Sequence, residues 1–121
     1  MKSLLNYFRH FVSGLVLLVA CVSSFPLAAA ENTPKKVVFL IGEQEYQTAE
    51  TLPRFAREEL IPCGIDCQFA IVSEVDPNDF AGLNNLADAD LLVVSVRRRT
   101  PPSSQMKLIK DYLDRGGAVM G

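Results

Sequence analysis

Apolar residues in this chain fall into short unbroken runs separated by stretches of helical spacing. The first run, Val37–Ile41, is apolar throughout and rich in β-branched residues, and is closed by Gly42. A strand with no polar alternation has both faces covered, which predicts a central place in a parallel sheet. Ile65 to Val72 begins differently, with Ile65, Cys67, Phe69 and Ile71 on one face and Asp66 and Gln68 on the other. That alternation predicts an edge strand with one wetter face. Leu91–Val96 is a second apolar run, with Ser95 its one polar residue, and a fourth strand is expected to begin at Ala118–Met120.

The intervening segments predict helices with recognisable ends. Thr51 is an expected N-cap, with Pro53 tolerated in the first turn and Leu52, Phe55, Ala56 and Leu60 forming the inner stripe. Pro62 and Gly64 end that helix. The second helix is expected to be capped by Thr100, to open with Pro101, and to bury Met106, Ile109, Tyr112 and Leu113 before Gly116 and Gly117. Glu74 to Ala89 is less regular, and Phe80, Leu83 and Leu86 suggest a helical turn or two. The sum is an α/β fold, a flavodoxin-like doubly wound parallel sheet. Right-handed crossovers give the strand order 2-1-3-4.

The first thirty residues stand apart from this pattern. Lys2 and Arg9 precede the short apolar run Phe11–Val22, and Ala28-Ala29-Ala30 before Glu31 has the A-x-A form of a cleavage site. This is a secretory signal pattern, with the apolar run too short for a membrane span. It predicts a mature domain over residues 31–121, cut between Ala30 and Glu31 and secreted or periplasmic. An alternative is a lipoprotein anchored through Cys21, since Leu18-Val19-Ala20-Cys21 resembles a lipobox.

Removing Lys2 and Arg9 reduces 12 basic side chains to 10, against 14 acidic, a balance of −4. Such a domain lacks the distributed cations that nucleic-acid binding needs. Its one basic cluster is Arg97-Arg98-Arg99, placed directly after a buried strand. In doubly wound sheets ligands bind beyond the carboxyl ends of the strands. Two loops are expected to converge there: Gly42–Gln47 after the first strand and Arg97–Pro102 after the third. Glu43, Glu45, Tyr46, Arg97, Arg98 and Arg99 are therefore the candidate ligand residues, suited to a sugar or a small anion. Arginine supplies paired donors, glutamate accepts from hydroxyls, and tyrosine offers a stacking face. At most one or two of the three arginines should face the pocket. The competing expectation is that Glu43 or Glu45 merely pairs with an arginine to order the loops.

Other chemistries find no motif. Neither G-x-G-x-x-G nor G-x-x-x-x-G-K-[ST] occurs, so no nucleotide cofactor is expected. The single histidine, His10, lies in the signal segment, which leaves no Ser-His-Asp triad, no base for a cysteine nucleophile and no metal set. Cys63 and Cys67 permit a local disulfide in a secreted domain, although free thiols with Cys67 buried on its strand fit better.

The segments KVVFLIGEQEYQTAETLP (36–53) and ADLLVVSVRRRTPP (89–102), with RGGAVMG at 115–121, resemble the start of secreted bacterial ThuA-like (trehalose-utilization) domains. RRRTPP is the most specific part. The resemblance covers nearly all of residues 31–121 and implies a class I glutamine-amidotransferase-like fold with a role in carbohydrate utilisation. In that fold the nucleophile turn follows the strand that begins near Gly117. It would lie beyond Gly121, so the domain is expected to be partial, interrupted after the fourth predicted strand, with no catalytic residue assigned. The alternative is a stand-alone, non-enzymatic module that binds a small ligand or another protein.

Overall fold

A computed structural model describes residues 33–121; the expected cleavage site at Ala30–Glu31 and the lipobox Cys21 lie outside the described residues. These residues form an α/β fold around a mixed, mostly parallel five-stranded sheet. In chain order the elements are β1 (Lys36–Gly42), α1 (Thr48–Phe55), β2 (Asp66–Val72), β3 (Phe80–Ala81), β4 (Leu91–Val96), α2 (Ser103–Asp114) and β5 (Ala118–Met120). The sheet order is β3-β2-β1-β4-β5. The four anticipated strands are thus β2-β1-β4-β5 in the anticipated order, all parallel to their neighbours.

The sheet departs from the expected pure parallel form in one place. β3 pairs antiparallel with β2 through Ile71–Ala81 and Val72–Phe80, so the alternating strand is not an edge. Two residues inside an irregular crossover carry no periodicity, which is why the sequence pattern does not reveal them. Their outer edge is closed by a side chain. The Phe80 N–H donates to Gln105 Oε1 at 3.0 Å, while Gln105 Nε2 donates to the Phe80 carbonyl at 3.3 Å and to Asp79 Oδ1. One amide thus takes the place of a further strand. Gly82, at φ +89°, turns the chain directly against the Phe69 carbonyl, where a Cβ would lie 2.6 Å from the oxygen. A 3₁₀ segment, Leu83–Asp88, then buries Leu83 and Leu86.

β1 is covered on both faces, as its composition demands. Val38 and Leu40 meet Phe80, Leu83, Leu86, Leu92 and Tyr112 beneath α2. Val37, Phe39 and Ile41 meet Ala56, with Leu52 and Leu60 packed around them. The Phe39 and Phe69 rings stack on this second face, 5.3 Å apart. Burial of these aliphatic and aromatic side chains, at roughly 1.5–3 kcal/mol each, is the main source of stability.

Both helices begin elsewhere than expected. α1 starts at Thr48, because Gln47 adopts a left-handed conformation and its carbonyl accepts from the N–H groups of Glu50 and Thr51. The Thr51 hydroxyl then donates to the same carbonyl from inside the helix, and Pro53 falls within the helix. Beyond Phe55 the coil widens into a π-type turn, Ala56–Leu60, and closes with a 3₁₀ turn at Ile61–Cys63. The widening precedes Pro62, whose ring would clash with the Glu58 carbonyl in a regular α-helix. α2 starts at Ser103, not at Pro101. Residues before a proline are pushed out of the α region, so Thr100 and Pro101 stay extended.

The buried faces also shift. Tyr112 is buried and Leu108 and Ile109 pack on the core, whereas Met106, Leu113 and Phe55 are exposed. Cys63 and Cys67 are free thiols, exposed and half-buried respectively. Among the described residues no helix is long and apolar enough to cross a membrane.

Candidate functional site

β1 connects through α1 on one face of the sheet to β2. β4 lies on the other side of β1 and leads into α2 on the opposite face. The loops leaving β1 and β4 therefore diverge and open a crevice between their carboxyl ends, the switch point of a doubly wound sheet. The register places Gly42 beside Val96, so the two candidate loops start level with one another. Between them lies a shallow cleft of about 180 Å³ lined by Gly42–Glu45 and Arg97–Arg99. That volume is below the roughly 300–1,000 Å³ of sites for drug-sized ligands and suits one small ring or anion.

Each candidate side chain has a distinct job. Glu43 is buried, and its carboxylate folds back on its own loop. It accepts from the backbone N–H groups of Glu45 and Tyr46, the latter at 3.1 Å, and from the Thr48 hydroxyl at 3.4 Å. Glu43 thus organises the loop ahead of α1, and its acceptor capacity is largely used. Glu45 receives an ion pair from Arg97 Nη1. Both partners are half-exposed, 61% and 48%, so water screens the pair strongly.

Arg99 turns inward. Its Nε donates to the Gly42 carbonyl at 2.9 Å, tying the β4 loop to the end of β1. Gly42 makes this approach possible, since a Cβ there would lie 2.9 Å from the Phe80 ring and 3.4 Å from Arg99 Cγ. Arg98 sits between the two at φ +55°. A left-handed arginine costs about 1–3 kcal/mol, held here by the anchored residues on either side. Among the described residues Arg98 and Arg99 make no ion pair, so three guanidiniums against two carboxylates leave the cleft net positive.

Tyr46 does not join the cleft. It is 72% exposed and lies outside the lining, because the Glu43 carboxylate pins its backbone N–H while the side chain projects to solvent. The expected stacking face is absent from this arrangement. Of six candidates, then, five line the cleft; the anticipated pairing of a glutamate with an arginine falls to Glu45, while Glu43 orders its own loop through backbone N–H groups.

Sequence reasoning missed Asn78 and Gln105. Asn78 Oδ1 accepts from the Thr100 N–H at 2.8 Å and so supports the arginine loop from the β2–β3 connection. Neither residue belongs to a motif, and only the tertiary fold brings it into place. A larger groove of about 430 Å³ runs between β3 and the start of α2. Of the polar side chains that line it, Asp79 and Gln105 already pair with one another. Among the described residues there is no cluster of His, Cys, Asp or Glu that could hold a metal ion.

Comparison of the chain with protein-family models, with curated proteins and with solved structures returned no match.

Proposed function

We propose that residues 31–121 form the opening part of a secreted ThuA-like domain, of the class I glutamine-amidotransferase-like type, that binds a sugar or small anionic ligand and serves carbohydrate utilisation. The reading is supported chiefly by one observation: the two segments that carry the family resemblance, 36–53 and 89–102, supply the cleft at the switch point. Arg97 and Arg98 contact the ligand, Arg99 and Glu43 hold the loops, and no reaction is assigned to this chain. The test is ligand titration of Arg97→Ala and Arg98→Ala. Both variants should weaken binding of a sugar or an anion with little change in melting temperature. Normal binding combined with earlier melting would make the arginines structural ion-pair partners. Secretion is tested separately: the mature N-terminus should be Glu31, whereas a lipidated Cys21 would establish the anchored form.

A second reading, a protein-interaction module, draws on the β5 edge, where Val119 and Met120 are exposed. Parallel strands left unpaired at an edge invite association. Concentration-dependent association that is lost on Val119→Lys would favour it.

A further inference from the structure

We infer that Glu45 is an internal stand-in for the ligand's anionic group, and that an oxyanion-bearing ligand enters the cleft by displacing Glu45 from Arg97. The inference rests on the ligand-binding reading of the cleft and specifies its ligand chemistry. Three observations carry it. First, Glu45 and Arg97 belong to different loops, and their pair bridges the two loops that line the cleft between the ends of β1 and β4. Second, the pair is half-exposed on both sides and is tethered only through the ends of two surface side chains. Such pairs are held by a small free-energy margin, so a competing carboxylate or phosphate can exchange into one. Third, the other carboxylate of the cleft cannot take over, because Glu43 is committed to the backbone N–H groups of residues 45 and 46.

Displacement changes the charge of the site in a way that favours an anion. With Glu45 swung out to water, Arg97, Arg98 and Arg99 face one carboxylate instead of two. The planar guanidinium of Arg97 then matches a carboxylate in bidentate fashion, and also accommodates phosphate. A neutral sugar has no group that competes with Glu45 for Arg97, so it leaves the pair in place and gains no charge-assisted contact. The same chemistry is offered by a sugar acid and by free phosphate, and the probes below separate the two.

The experiment is calorimetric titration of the full chain with glucuronate, glucose and inorganic phosphate, in wild type, Glu45→Gln and Arg97→Ala. Glucuronate should bind more tightly than glucose, which differs from it by a neutral hydroxymethyl group. Glu45→Gln should tighten glucuronate binding by roughly two- to fivefold, the range released by breaking an exposed ion pair. Arg97→Ala should weaken it by roughly tenfold or more, since a charge-assisted contact is lost. If phosphate binds and is tightened by Glu45→Gln while neither sugar binds, the exchange stands and the sugar reading falls. If glucose binds as well as glucuronate and Glu45→Gln is neutral or weakening, the exchange is overturned and the sugar reading stands. Absence of binding by all three probes overturns both.

Discussion

Replacing Gly117 by alanine should unfold much of the margin that holds α2 against the sheet. The residue has no positive φ, so its backbone accepts a side chain; the obstacle is space. A Cβ at this position would lie 2.3 Å from two carbons of the Tyr112 ring. That ring cannot simply step aside: it is 1% exposed, and its hydroxyl donates to the Ala118 carbonyl at 2.5 Å. Overpacking of this kind costs about 1–3 kcal/mol. Displacing the ring also loses a hydrogen bond worth about 0.5–1.5 kcal/mol. The expected destabilisation is therefore about 2–4 kcal/mol, a drop in Tm on the order of 10–30 °C for a domain of this size. The chain contains no tryptophan, so urea unfolding is followed by far-ultraviolet circular dichroism. In a Tyr112→Leu background the same glycine substitution should cost less than about 1 kcal/mol, because the colliding ring is gone. An equal cost in both backgrounds, or none in wild type, would refute the steric argument.

Gln105→Ala removes the amide that closes β3, and should cost about 1–3 kcal/mol through the unpaired Phe80 groups. It should also introduce concentration-dependent association visible by light scattering, since an open strand edge is a pairing template. Asp90 accepts from the Lys36 backbone N–H at 2.8 Å and pairs with Lys35 at 2.9 Å, and these contacts hold its carboxyl below the ordinary carboxylate value. A lowered folded-state value stabilises the fold above the unfolded carboxylate's range of about 3.9, and this contribution is lost as pH falls through the lower folded value. Asp90→Asn should therefore flatten the acid limb of the stability profile below about pH 5. Burial, assisted by the Asp66 charge, pushes the Cys67 thiol up, whereas Cys63 is exposed. Alkylation followed by mass spectrometry should label Cys63 well before Cys67; equal rates would contradict the half-buried placement.

The parts of the fold that sequence reveals are those written in periodicity. Val37–Ile41 and Leu91–Val96 announce central strands because polar residues are absent from the first and limited to Ser95 in the second, and crossover handedness then orders the four parallel strands. What stays hidden depends on single contacts. The left-handed turn at Gln47 moves the start of α1 ahead of Thr51, a residue with good capping chemistry that is used inside the helix instead. Two successive prolines delay α2, a restriction that can be read from the sequence once the residue before each proline is considered. Met106 and Leu113 are expected on one stripe with Tyr112, but only Tyr112 lies in the core; the other two share a neighbouring face about 100° round the helix, which is exposed. The cleft is legible as a place, because strand ends and charged loops mark it. The division of labour among its arginines is not, since three identical neighbours differ only in backbone conformation and in what they reach.

The central claim is that ligand binds between the ends of β1 and β4. The most direct test is an amide chemical-shift map of the isotope-labelled chain titrated with glucuronate. The expected result is saturable movement of the resonances of Gly42–Tyr46 and Arg97–Arg99, with the Thr100 N–H following through its contact to Asn78. Saturable shifts confined to Asp79–Asn84 and Ser104–Leu108, beside the larger groove, would place the site elsewhere and contradict the account.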